Sequence, residues 1–262
     1  MTESTSIIEL SFWQILAAYV FIVLLLAIVR WRKIPREKEI LISSLRMTFQ
    51  LLLMGYVLMF LFENPSPWLT SLIVLFMLGF AIWNIFQRVR GPLTREMKRA
   101  IAVSMSIGTV LSLLYFNFVV IQFAPWFNPR YFIPIAGMII GNSMTGITLG
   151  VQTLTEHLHS QRSRVEAALM LGATPNQATR KVVNQSFDAA ILPTINSMVG
   201  AGIVFLPGMM TGQIISGVNP VTAIGYQIAI LLGITGAVAL TVILFTQLGY
   251  KTYFNERMQL KE

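Results

Sequence analysis

His157 and His159 are the two histidines of this 262-residue chain, which contains no cysteine. Two positions apart, the imidazoles point to different faces of a helix. They share a face only in an extended segment, where they could hold a metal weakly. The absence of cysteine excludes thiolate metal sites, disulfides and cysteine nucleophiles. Fourteen methionines offer thioethers instead. Met138, Met144, Met198, Met209 and Met210 lie in the more polar half. A thioether suits soft cations such as Cu(I), and in apolar helices methionine also serves as gap filler. Asn142, Asn196 and Gln213 present harder oxygen donors. These suit a hydrated or chelated cation, and they suit hydrogen bonds between helices equally well. Arg46 stands about six residues, or roughly 9 Å, into an apolar run, with Gln50 one turn on. Its guanidinium can snorkel back to water or serve a buried path. No particular metal-binding set emerges from these residues.

The groups missing from the chain are equally informative. An intramembrane enzyme needs a nucleophile–base pair or a motif such as His-Glu-x-x-His, and neither histidine lies within an apolar run. No Gly-x-x-x-x-Gly-Lys-Ser/Thr loop is present to cradle ATP phosphates. No Asp or Glu lies deep in an apolar run, since Glu63 and Asp188 fall at the ends, and proton or sodium coupling commonly marks itself with such a carboxylate. A stand-alone carrier or channel is therefore the weaker alternative to a chain powered from outside. ATP, if used, sits on a partner subunit, and this chain itself needs no bound cofactor.

These residues must be positioned by helices in a lipid bilayer. The chain is 55% apolar and 11% charged, against about 25% charged in a soluble domain. A bilayer core of roughly 30 Å takes about 20 apolar residues per helical crossing. We read seven crossings in one all-α permease domain covering 1–262: 11–29, 40–62, 68–86, 100–123, 131–154, 190–216 and 221–248. The polar start, with Glu3 and Glu9, lacks the basic region of a signal peptide, so the first run is a retained span. Seventeen of the nineteen Lys and Arg residues follow the first, third, fifth and seventh runs. By the positive-inside rule those loops are cytoplasmic, with the N-terminus outside and the C-terminus inside. The net charge of +8 is explained by this bias. Nucleic acid is excluded as a partner, because no basic patch is interleaved with stacking aromatics.

The two halves differ in texture. Fourteen of eighteen glycines lie from Gly137 onward. Gly137/Gly141, Gly146/Gly150 and Gly208/Gly212 have the small-xxx-small spacing that lets helices approach closely. "GMIIGN" (137–142) and "GMMTGQ" (208–213) share a pattern of two glycines followed by an amide, each with a proline upstream. Pro207 should break its span, which a membrane tolerates where backbone is buried in protein or lines a watery cavity. Pro207, Gly208, Met209, Met210, Gly212 and Gln213, together with Arg46, Gln50, Asn142 and Asn196, are the expected pathway or gate residues.

The longest polar segment, 155–189, reads as two short helices around a corner. Gly172 fits a left-handed C-terminal cap. Thr174, Pro175 and Gln177 fit an N-cap, first position and capping box. Val165, Ala168 and Leu169 form a small apolar ridge. It is suited either to docking on a partner or to lying on the bilayer surface.

Glu166, Ala167, Ala168 and Gly172 resemble the Glu-Ala-Ala-x-x-x-Gly loop of prokaryotic ABC transporter permeases. The resemblance implies that Glu166, Ala167, Ala168, Leu169, Gly172, Ala173, Thr174 and Pro175 dock on a separate ATPase subunit. The match departs at its end, where Val182-Val183-Asn184-Gln185 replaces the usual Ile-x-Leu-Pro. "LRMTFQLLLMGYVL" (45–58), "PRYFIPIAGMIIGNSMTG" (129–146), "EAALMLGAT" (166–174) and "GIVFLPGMMTGQIISGVNPVTAIGYQI" (202–228) resemble, in order and over nearly the whole chain, the FetB-like permeases. That family includes bacterial iron-export and plant aluminium-tolerance permeases. It implies a homodimeric transmembrane subunit in the bacterial inner membrane, working with a cognate ATPase and exporting iron or another metal ion.

Overall fold

The computed structural model describes residues 10–89, 91 and 93–261. Glu3, Glu9, Arg90 and Glu262 lie outside the described residues. The described chain is helical: α1 Phe12–Ala18, α2 Val20–Trp31, α3 Glu37–Glu63, α4 Pro67–Arg88, α5 Arg95–Tyr115, α6 Pro129–Ser160, α7 Arg162–Met170, α8 Pro175–Gly200, α9 Gly208–Ile215 and α10 Pro220–Gly249. A π turn, Phe116–Ile121, extends α5, and a 3-10 turn, Tyr250–Tyr253, extends α10. Among the described residues six helical stretches are long and apolar enough to cross a membrane: Phe12–Trp31, Glu37–Glu63, Pro67–Arg88, Arg95–Ile121, Pro129–Ser160 and Pro220–Tyr253.

Local chemistry sets the helix starts. Pro67, Pro129, Pro175 and Pro220 occupy the first turns of α4, α6, α8 and α10, where proline's missing N–H costs nothing. Asn128, Thr174 and Asn219 precede three of these prolines and accept hydrogen bonds from Arg130, Gln177 and Val221 N–H groups. Thr94 does the same for α5 through the Met97 N–H.

The chain forms two compact units. The first, 1–64 with 215–217, contains α1, α2 and α3. There α2 packs on α3, and Tyr19, at the junction of α1 and α2, hydrogen-bonds Thr48 of α3. The second, 65–214 with 218–262, holds a continuous core running from Leu78 to Phe254. In it α6 packs on α4, α5, α8 and α10.

Contacts at several levels fix the helix directions in this second unit. Gly146 faces Val238 and Val242. Farther along, Gly150 faces Phe245, and Leu154 reaches Gly249, so α6 and α10 run parallel. α8 runs antiparallel to α6: Gln185 bonds His157 at 2.8 Å, and Ala190 lies against Gly150. Along α4, Thr70 bonds Phe127 O at 3.1 Å, while Arg88 O receives Gln152 Nε2 at 3.3 Å. The C-terminal ends of α4, α6 and α10 thus share one end of the unit. Most of its basic side chains lie there, and Arg130 lies at the other end.

The expected crossing at 190–216 is not one helix. α8 runs unbroken from Pro175 through Pro193 to Gly200. The chain then turns through 201–207, with Gly202 at φ +86°, before α9 begins at Gly208. The helix starting at Thr174 is therefore longer than the short elbow arm expected. Its polar first half and apolar second half belong to one rod, because nothing between Asp188 and Ala190 interrupts the backbone ladder. The break falls on the N-terminal side of Pro207, where the ring would clash with the preceding turn.

Candidate functional site

The elbow forms as its residues dictate. Leu169 O accepts from Gly172 N–H and Ala168 O from Ala173 N–H, both at 3.0 Å, closing α7. Gly172 sits at φ +89°, a conformation open to glycine without the Cβ clash. Thr174 N–H then donates to Gln177 Oε1 at 2.9 Å, and Gln177 N–H donates to Thr174 Oγ1 at 3.3 Å. Both halves of the capping box are made. Arg162 Nε holds Glu166 Oε1 at 2.8 Å, one turn along α7.

The apolar ridge behaves differently from expectation. Val165 is 1% exposed and belongs to the core. Leu169 and Ala168 are half-buried. The ridge does find a core: α7 packs on α6 and α8, and Leu158 and Val182 of those helices are buried in the same cluster, which also holds Tyr250 and Phe254. The apolar side chains left in solvent are Met170 and Leu171, 87% and 89% exposed. Ala167 is exposed and Glu166, Ala173 and Pro175 are half-buried. A groove of about 490 Å³ runs beside them, closed on its far side by Arg257, Met258, Gln259 and Leu260. Nothing in the sequence reading pointed to this C-terminal wall. The turn signal Asn255 was the available clue.

The expected pathway residues are dispersed. Arg46 and Gln50 lie exposed on α3 in the first unit. In the second, Asn142 is exposed and donates to Met138 O at 2.8 Å within α6, and Asn196 is exposed on α8. Met210 is buried, Pro207, Met209 and Gln213 are half-buried, and Gly208 and Gly212 are exposed. Among the described residues α9 makes no extended packing with α6, so the two echoing segments are not brought together within one chain.

The three glycine pairs separate. A Cβ on Gly146 would stand 2.9 Å from Val238 Cγ1, so that glycine serves close packing. Gly141, Gly208 and Gly212 have nothing within 4 Å of such an atom, and Gly137 meets only Met77 Cε at 3.2 Å. No group of three His, Cys, Asp or Glu side chains that could hold a metal exists among the described residues. His157 Nδ1 instead bonds Gln185.

No solved structure matches the chain. The probable iron export permease protein FetB of Escherichia coli is 35% identical over 243 residues, covering 93% of this chain and 92% of that protein. The UPF0014 membrane protein STAR2 of Oryza sativa is 36% identical, covering 94% and 85% respectively. Protein ALUMINUM SENSITIVE 3 of Arabidopsis thaliana is 35% identical, covering 94% and 88%. The family described as "Uncharacterised protein family (UPF0014)" matches residues 12–254. With six apolar helices long enough to span a bilayer, the chain is a multi-pass membrane permease and belongs to the UPF0014 family.

Proposed function

We propose that the chain is the transmembrane subunit of an ABC transporter in the bacterial inner membrane. It works as a homodimer with a cognate ATPase subunit and exports iron or another metal ion. The observation that carries this reading is the elbow at Glu166–Pro175. A glycine cap, a complete capping box and two solvent-exposed apolar side chains sit at the basic end of the second unit. A rigid corner presenting Met170 and Leu171 to water suits a partner's surface. ATP is bound and hydrolysed by that partner. Iron as cargo rests on the name of the Escherichia coli relative.

Seven crossings with the N-terminus outside fit this arrangement. α6 and α10 run parallel, so the chain between them must return once across the bilayer. α8 lies antiparallel along α6, which supports α8, the 201–207 turn and α9 as the return. From Ala190, α8 contributes about 16 Å and α9 about 12 Å. With the turn between them this approaches the roughly 30 Å of a hydrocarbon core. The basic end then faces the cytoplasm.

The test is reconstitution in liposomes with and without the candidate P-loop ATPase subunit. ATP-dependent iron flux that needs both proteins is expected. Flux by the chain alone, driven by an ion gradient, would identify a stand-alone carrier and overturn the proposal.

A further inference from the structure

Beyond α10 the C-terminal segment folds back beside the elbow. Tyr250 and Phe254 are buried in the core. Phe254 pairs with Leu260 in an antiparallel bridge. Lys261 N–H donates to Tyr253 O at 2.8 Å, and Lys261 Nζ reaches Glu96 Oε2 at 2.6 Å, at the start of α5. Between these anchors 255–259 make a tight turn. Asn255 Oδ1 accepts from the Arg257 and Gln259 N–H groups at 3.0 and 2.9 Å. A segment pinned this way is a built wall rather than a trailing end.

The turn holds Met258 at φ +61° with 62% of its surface exposed. The left-handed conformation strains a bulky L-residue, and Met258 gains little burial in return. Met258 lines the 490 Å³ groove together with Leu169, Met170 and Pro175 of the elbow. Charge narrows what can enter. Glu166 at the rim is already paired with Arg162, whereas Arg257 makes no ion pair among the described residues. The groove offers apolar walls and, among the described residues, one cation without an ion pair.

We infer that the C-terminal turn is the second half of the docking surface. The groove between it and the elbow receives a large apolar side chain flanked by a carboxylate on the ATPase subunit. This rests on the coupling role proposed for the elbow and adds residues 255–260 to it. A groove walled on two sides suits an inserted side chain, as buried interface anchors do. A headgroup layer would meet the exposed Met170 and Leu171 side chains and would not need the C-terminal turn.

The native chain has no cysteine, so Leu171→Cys and Met258→Cys can each carry a photoreactive crosslinker in native membranes. Crosslinked products are identified by mass spectrometry. Both positions are expected to capture the same P-loop ATPase, with yields that change on adding ATP. Arg257→Glu should lower the ATPase retained on the purified chain about tenfold, the scale of one lost charge contact. Met258→Asp suits the left-handed backbone, so it keeps the turn folded while placing a like charge against the carboxylate. It should weaken retention as well. Capture of the ATPase by the Leu171→Cys protein, but only lipid or nothing by the Met258→Cys protein, would overturn the inference and leave the coupling role intact. Lipid at both positions would overturn the two together.

Discussion

Gly108 of α5 and Thr241 of α10 meet with no room for a side chain between them. A Cβ on Gly108 would lie 2.2 Å from Thr241 Cγ2 and 2.8 Å from Thr241 Cα. The second atom is backbone and cannot rotate away. At Gly233 an added Cβ would meet Phe116 at 2.5 Å, a ring whose position is set by the π turn. Two glycines on opposite partners thus set the distance between α5 and α10, in the manner of small-residue helix contacts in lipid. Gly108→Ala should destabilise the folded protein by about 1–3 kcal/mol, the cost of overpacking. Gly225→Ala, which has open space, should be neutral. Thermal unfolding in detergent compares the two, and equal melting temperatures would contradict the close approach.

Topology can be read with single cysteines and a membrane-impermeant thiol reagent. Cysteines replacing Asn64 and Asn128 should label from outside intact cells, while those replacing Asn176 and Gln259 should label only after permeabilisation. Labelling of a cysteine replacing Asn219 from the same side as one replacing Asn176 would remove the return crossing through α8 and α9.

The elbow predicts a separation of folding from coupling. Gly172 at φ +89° has nothing within 4 Å of an added Cβ, so the main effect of Gly172→Val is strain in the backbone. That strain is about 1–2 kcal/mol and concentrated at the corner. The expected result is a membrane-inserted protein that no longer stimulates its ATPase. Thr174→Ala, which removes the cap, should cost about 1 kcal/mol of helix stability and impair coupling less. Unchanged transport in both Gly172→Val and Glu166→Lys would assign the elbow to the membrane surface.

Much of this architecture was legible because it is local. Apolar runs of spanning length, prolines at first helical positions, the Gly172 cap and the Thr174–Gln177 box all follow from neighbours in sequence. The fate of Val165 was not legible. Val165 is buried where α7 packs on α6 and α8, and a ridge judged from its own helix has no visible core. The same holds for the groove, whose second wall is non-local. The small-xxx-small pairs look identical in sequence. Gly146 is separated from Gly212 only by what stands opposite each, Val238 in one case and open space in the other.

That open space sharpens the test of α9. Among the described residues Gly208 and Gly212 are not required for packing within the chain, because an added Cβ at either meets nothing within 4 Å. A Gly212→Leu protein should therefore insert and fold, and any loss of function reports on a pathway or a second copy. The turn at 201–207 places irregular backbone just before this helix, which a bilayer tolerates only beside protein or water. We predict that Gly212→Leu abolishes metal flux at unchanged expression and ATPase binding. Cysteines replacing Met209, Thr211 and Gln213 separate the two causes. Reaction of at least one with an impermeant thiol reagent, at a rate altered by ATP, assigns the segment to the pathway. Spontaneous disulfide-linked dimers at these positions, with no reagent access, assign it to the contact between copies. Inertness at all three in every state, with Gly212→Leu fully active, would remove α9 from the transport path.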